Sequence, residues 1–167
     1  MYNKTTIKKV ALAIALFVIV AMMTVIVSCA NVKAAELPIE YKEHVVECST
    51  AMNIDPYIVL ALIETESGND YTAINKAGNC FGLCQIHKCW ERKAKDAGYN
   101  IYEPYGNIGW CSVLLRDCYQ ECGDWNRALV KYNAGRVYAD SSPYSRKIIA
   151  RAEELRKEAE NVSTIGE

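Results

Sequence analysis

The chain has 167 residues, is 51% hydrophobic and 23% charged, and carries a formal net charge of −1. That length suits one compact domain rather than two. Beyond Ala34 the balance is −5, with Lys and Arg scattered and no basic stripe, which argues against nucleic acid as a partner.

Lys4, Lys8 and Lys9 precede an uncharged run from Val10 to Ala30, rich in Ala, Val, Ile, Leu and Met. Residues 1–34 therefore read as an export signal or an N-terminal membrane anchor. The run is long enough to span a bilayer with the lysines inside. Val32-Lys33-Ala34 offers a small-residue cleavage site, and Ile26-Val27-Ser28-Cys29 offers a lipidation site at Cys29. All three fates put the rest of the chain outside the cytoplasm, with membrane contact only through this segment.

Residues 35–160 hold the predicted domain, followed by a short polar tail over 161–167. Pro38 to Met52 reads as a helix with Tyr41, Val45 and Met52 inward. Asp55 and Pro56 form a cap and first-position proline that start a second helix, running to about Ser67 and stopped by Gly68-Asn69. Residues 69–88 read as an irregular loop or small hairpin. A short charged helix follows from His87 to Ala97, closed by Gly98. Pro104 to Glu121 reads as a longer helix, broken by Gly123, and Asp124 caps the next one through Tyr132. Ser142-Pro143 starts the last helix, expected to fade after Arg156. The predicted fold is mainly α-helical.

The second helix ends "VLALIETESGND", an apolar run closed by Glu64 and Glu66. A carboxylate at the end of a buried run is costly unless something uses it. Glu66 shares a helix face with Val59, Leu62 and Ile63, whereas Glu64 lies about 200° round, with Tyr57, Leu60 and Ala61. Glu66 also sits in the last turn, where the negative end of the helix dipole disfavours a charged carboxylate. Desolvation acts the same way, and a raised pKa suits a general acid near neutral pH. The plainer alternative is a pair of solvated glutamates at a fraying helix end.

Three further pieces accompany Glu66: Gly82-Leu83-Cys84-Gln85-Ile86, Tyr132-Asn133-Ala134-Gly135, and Tyr144 early in the last helix. Together, "ETESGN … FGLCQI … NIGWCSVLLRD … GDWNRALVKYNAG … YSRKI" resembles the catalytic domain of the soluble lytic transglycosylases, a lysozyme-like fold. The resemblance covers about residues 56–149. It implies Glu66 as the single catalytic acid and base, with Gln85 and Tyr132 lining the sugar cleft, Asn133 close by, Tyr144 at its edge, and Asn75 contacting the sugar's N-acetyl group or the catalytic carboxylate. The chain departs from the family pattern in having Cys84 before the glutamine and His87 shortly after it. The implied reaction cleaves the β-1,4 bond between N-acetylmuramic acid and N-acetylglucosamine in peptidoglycan and leaves a 1,6-anhydro end. No cofactor is implied. Peptidoglycan glycan strands are the implied partner, with secretion, conjugation or phage machinery, or turnover of the cell's own wall, as the setting.

Three rival chemistries and a non-catalytic module have residues in the chain to support them. A hydrolytic muramidase on the same fold needs a second carboxylate, for which Asp70 and Asp96 are the candidates. Cys80, Cys84, His87 and Cys89 suggest zinc, but their C-x₃-C-x₂-H-x-C spacing lacks two separated ligand pairs and overlaps the Gln85 motif. A thiol nucleophile would pair Cys84 with His44 or His87. A wall-binding module without catalysis would not need Glu66. The seven cysteines beyond Cys29 are an odd number, so not all can pair within one chain; they are read as disulfide staples of an exported domain, with free thiols as the alternative, and Cys111 and Cys118 are too far apart along one helix to bridge each other.

Overall fold

The computed structural model describes residues 36–165, with side chains to residue 161. The expected export segment, including its cleavage and lipidation sites, lies outside the described residues. Among those residues six α-helices surround one small hairpin, as the sequence predicts: α1 (Ile39–Met52), α2 (Pro56–Glu66), β1 (Cys80–Phe81), β2 (Ile86–His87), a 3₁₀ turn (Lys88–Trp90), α3 (Glu91–Asp96), α4 (Pro104–Cys122), α5 (Trp125–Ala134) and α6 (Pro143–Ile165).

Helix α2 is the centre of the fold. Asp55 caps it by accepting a hydrogen bond from Tyr57 N at 2.9 Å, and Pro56 follows at the first helical position. Val59, Ala61, Leu62 and Ile63 are fully buried, and Ile58 nearly so. A helix apolar nearly all round must be covered on several sides. Here α1 and α6 pack directly against it, while α4 joins α1 and α5, and α5 joins α6.

The 69–88 excursion contains a two-stranded antiparallel hairpin, with Cys80 opposite His87 and Phe81 opposite Ile86. Ile74 bridges to Phe81. Asn107 on α4 holds this hairpin from beneath. Its Oδ1 accepts from Cys84 N at 2.9 Å, and its Nδ2 donates to Phe81 O at 2.9 Å and Ile101 O at 2.7 Å. Gly82 sits directly above it at φ +72°, and a Cβ there would lie 2.8 Å from Asn107 Nδ2. Both the conformation and the close approach require glycine.

Two expectations are corrected. Helix α6 does not fade after Arg156 but continues to Ile165, into the stretch expected as a polar tail. Its residues are good helix formers, and Arg151 pairs along the helix with Glu154 and Glu158. The seven cysteines are not staples: all are free thiols. Cys84 and Cys111 are buried side by side in the core and act as small apolar residues with a weak thiol hydrogen bond.

Candidate active site

Glu66 is the last residue of α2 and lines a cavity of about 750 Å³. The hairpin supplies Cys80, Gln85, Ile86 and His87 to its wall, α4 supplies Leu114 and Asp117, and α5 supplies Lys131, Tyr132 and Asn133. Asn75 closes it from the loop before β1, and Trp90 from the 3₁₀ turn. A smaller cavity of about 370 Å³, between α3 and the 98–102 turn, shares no residue with it.

The two glutamates of the α2 terminus have different partners. Arg151 on α6 grips Glu64 with two bonds, Nε to Oε2 at 2.7 Å and Nη2 to Oε1 at 3.2 Å. Glu66 instead accepts the Tyr144 hydroxyl on Oε1 at 2.5 Å. Burial raises the Glu66 pKa, and the Tyr144 hydrogen bond and the nearby Lys147 charge only partly offset it. Tyr144 is held far above the usual phenol range by burial and the adjacent Glu66 charge, so it remains a hydrogen-bond donor. A half-buried carboxyl with a raised pKa, open to a cavity and steadied by one donor, can both give and take a proton.

Asn75, Gln85, Tyr132 and Asn133 line the same cavity, and Tyr144 reaches it through Glu66. Gln85 adopts φ +48°, and its amide nitrogen donates to Ala73 O at 3.1 Å and Gly82 O at 3.0 Å. Its carbonyl oxygen is what it offers a ligand. The Tyr132 hydroxyl donates to Cys84 O at 3.0 Å and approaches Cys111 Sγ at 3.5 Å. Tyr132 thus presents its ring to the cavity while its hydroxyl ties α5 to the hairpin. Asn75 Oδ1 accepts from Asn79 N and Cys80 N, which shapes the loop. Asn133 is exposed at the rim. Tyr144 is a direct partner of Glu66 rather than only an aromatic at the cleft edge.

The rival carboxylates fare poorly. Asp70 is exposed, does not line the cavity, and is held low by hydrogen bonds from the Thr72 hydroxyl and backbone N. Asp96 is exposed at the end of α3. Sequence reasoning missed Asp117, the carboxylate that does share the lining with Glu66. It is bonded by Arg116 at 2.6 and 3.0 Å. Its place three residues after Leu114, on one face of α4, is the signal that could have pointed to it.

The thiol and zinc alternatives have no geometry behind them. Among the described residues no group of three or more His, Cys, Asp or Glu is arranged to hold a metal ion. His44 lies 3.4 Å from Cys48 and 3.2 Å from Tyr105 O, not beside Cys84. His87 accepts from Cys89 N and caps the 3₁₀ turn. Cys84 itself is fully buried with its pKa pushed up by desolvation, the opposite of an activated nucleophile.

Residues 44–147 match the family profile described as "Transglycosylase SLT domain". A protein of Enterobacteria phage PRD1 named "Transglycosylase" is 32% identical over 103 residues, covering 61% of this chain. The matched region spans 37% of that relative's length.

Proposed function

The chain belongs to the transglycosylase SLT domain family, and from that premise we propose that it is a peptidoglycan lytic transglycosylase with Glu66 as its sole acid and base. The observation that carries this reading is the pairing at the end of α2. Glu66 is a raised-pKa carboxyl facing the cavity with Tyr144 on it, while its neighbour Glu64 is occupied by Arg151.

The chemistry proceeds in two proton transfers. Protonated Glu66 donates to the glycosidic oxygen, and the bond from that oxygen to C1 of N-acetylmuramic acid breaks. The sugar's own acetamido group shelters the electron-poor C1. Glu66, now a carboxylate, takes the proton of the 6-hydroxyl, and O6 bonds to C1. Glu66 ends protonated as it began, no water is consumed, and the product carries a 1,6-anhydro ring. Conventional glycosidases divide this work between two carboxylates. Here the substrate supplies the nucleophile, so one suffices. Tyr144 keeps Glu66 oriented between the two transfers. The Gln85 oxygen and the Asn133 amide suit sugar hydroxyls and acetamido groups, and the Tyr132 and Trp90 rings supply apolar walls for the sugar faces.

Mass spectrometry of digested peptidoglycan tests the reading. Muropeptides should end in 1,6-anhydro-N-acetylmuramic acid, each one water lighter than a lysozyme product and without a reducing end. Mainly hydrated, reducing products would establish hydrolysis instead, and Asp117, freed from Arg116, would be the first carboxylate to examine as the water's base. The export signal expected in residues 1–34 would deliver the domain to the wall, and the phage relative adds weight to a phage setting over secretion or conjugation. Protease accessibility of the domain on intact cells would check its location.

A further inference from the structure

Helices α2 and α6 run antiparallel, and three polar ties mark their register. At the site end, Tyr144 meets Glu66. Farther along, Arg151 meets Glu64. At the far end, Arg156 meets the capping Asp55 and lies 5.3 Å from the Tyr57 ring centroid. Between the ties, Ile148 and Ala152 are buried against the core. Tyr144 and Arg151 are seven residues apart, two turns of helix, so both project from one stripe of α6.

We propose that Arg151 and Glu64 are positioning residues for Glu66: their forked ion pair sets the rotation and advance of α6 over the α2 terminus, and so keeps the Tyr144 hydroxyl on the Glu66 carboxyl. This rests on the reading of Glu66 as the acid. Glu64 is only two residues from Glu66, and the guanidinium bonds both its oxygens, a geometry that constrains direction as well as distance. Arg151 is in turn braced by Glu154 at 3.1 Å and Glu158 at 3.0 Å, so its fork arrives already oriented. Removing one member of the pair changes the charge near Glu66. The titratable groups that act on Glu66 are Tyr144 and Lys147 from α6, Cys80 and Cys84 from the hairpin, and Tyr132 from α5, while His87, Cys89, Asp117, Cys118 and Lys131 line the cavity it faces. Against that fixed set, the loss of one charge at position 64 or 151 should be felt.

The test is the pH profile of muropeptide release from soluble glycan strands by the full-length protein, with melting temperature measured alongside. Activity needs Glu66 protonated, so it falls as pH rises through the Glu66 pKa. Arg151→Gln leaves the Glu64 carboxylate unbalanced, which should move that fall to higher pH and lower kcat about tenfold, with KM little changed. Glu64→Gln removes a negative charge near Glu66 and should move the fall to lower pH, with a smaller loss of kcat because Glu154 and Glu158 still hold the arginine. The double variant should recover the parent's pH profile but not its kcat, since charge is restored and the tie is not. Arg156→Gln breaks a tie of the same interface away from Glu66, and should lower the melting temperature with kcat and pH profile unchanged. If Arg151→Gln and Arg156→Gln lower the melting temperature alike and neither changes kcat or the pH profile, the pair is merely structural and the proposal is wrong. Should Arg151→Gln not fold, Arg151→Lys takes its place, and an unchanged kcat in it and in Glu64→Gln overturns the proposal. Full activity in a parallel Glu66→Gln variant would instead remove the acid reading itself, and the positioning role with it.

Discussion

Glu66→Gln is expected to lower peptidoglycan cleavage by about 10³-fold while the helical circular dichroism stays that of the parent. The amide keeps the shape of the carboxyl and can still accept the Tyr144 hydroxyl, but it cannot carry a proton to the glycosidic oxygen or remove one from the 6-hydroxyl. Glu64→Gln should lose less than about tenfold, because Glu64 faces Arg151 rather than the cavity and acts on Glu66 only through position. Comparable losses in both, with unchanged dichroism, would count against Glu66. The substitution should also affect stability in a defined direction. Burial raises the folded-state pKa of Glu66 above its unfolded value. Between those two values the folded protein binds more protons than the unfolded chain, so the stability linked to Glu66 is present in acid and lost as pH rises. Glutamine removes that dependence. The melting temperature of Glu66→Gln should therefore match the parent in acid and exceed it toward neutral pH, as for other sites where function and stability conflict. A lower melting temperature at neutral pH would mean that the carboxylate is better solvated or paired than Tyr144 and Lys147 alone allow.

Asn107→Ala should be the most destabilising single change at the site, costing about 3–5 kcal/mol. Asn107 is 1% exposed and satisfies three backbone groups, Cys84 N, Phe81 O and Ile101 O. Truncation leaves all three without that partner, two of them buried, at about 1–3 kcal/mol for each one that water cannot reach. A fall of about 10 °C or more in melting temperature is expected for a domain of this size. Activity should fall further than the unfolded fraction explains, because the same bonds set the loop that carries Gln85. Asn107→Asp would keep the acceptor for Cys84 N but set a carboxylate against two carbonyl oxygens, and should be no better tolerated. A thermal melt followed by circular dichroism checks both, and a loss below about 1 kcal/mol for Asn107→Ala would show that water replaces the side chain.

Local signals were enough for the helices. Asp55-Pro56, Asp124 and Ser142-Pro143 announce three helix starts because capping needs only a few neighbouring residues. Glycine and asparagine close several others for the same reason: Asn53, Gly123 and Gly135 take the left-handed conformation at helix ends. The end of α6 is less legible, because the intrahelical pairing of Arg151 with Glu154 and Glu158 offsets the rising charge of that stretch. The cysteines misled because a thiol packed as an apolar side chain and a thiol destined for a disulfide look alike in one chain.

Helix geometry and order along the chain are enough to end α2 in two carboxylates and to stand Glu66 at its negative pole. What each carboxylate meets depends on residues far away in the chain. Arg151 is 87 residues from Glu64 and Tyr144 is 78 from Glu66. Asn107 reaches Cys84 across 23 residues, and Asp117 enters the cavity wall from α4. Contacts at such separations depend on how helices cross and rotate, which is set by the packing of Ile148, Leu62, Ile63 and their neighbours together. A side chain's periodicity tells which face of its own helix it occupies. What covers that face is decided when the helices pack, and there Glu64 received a cation and Glu66 a phenol.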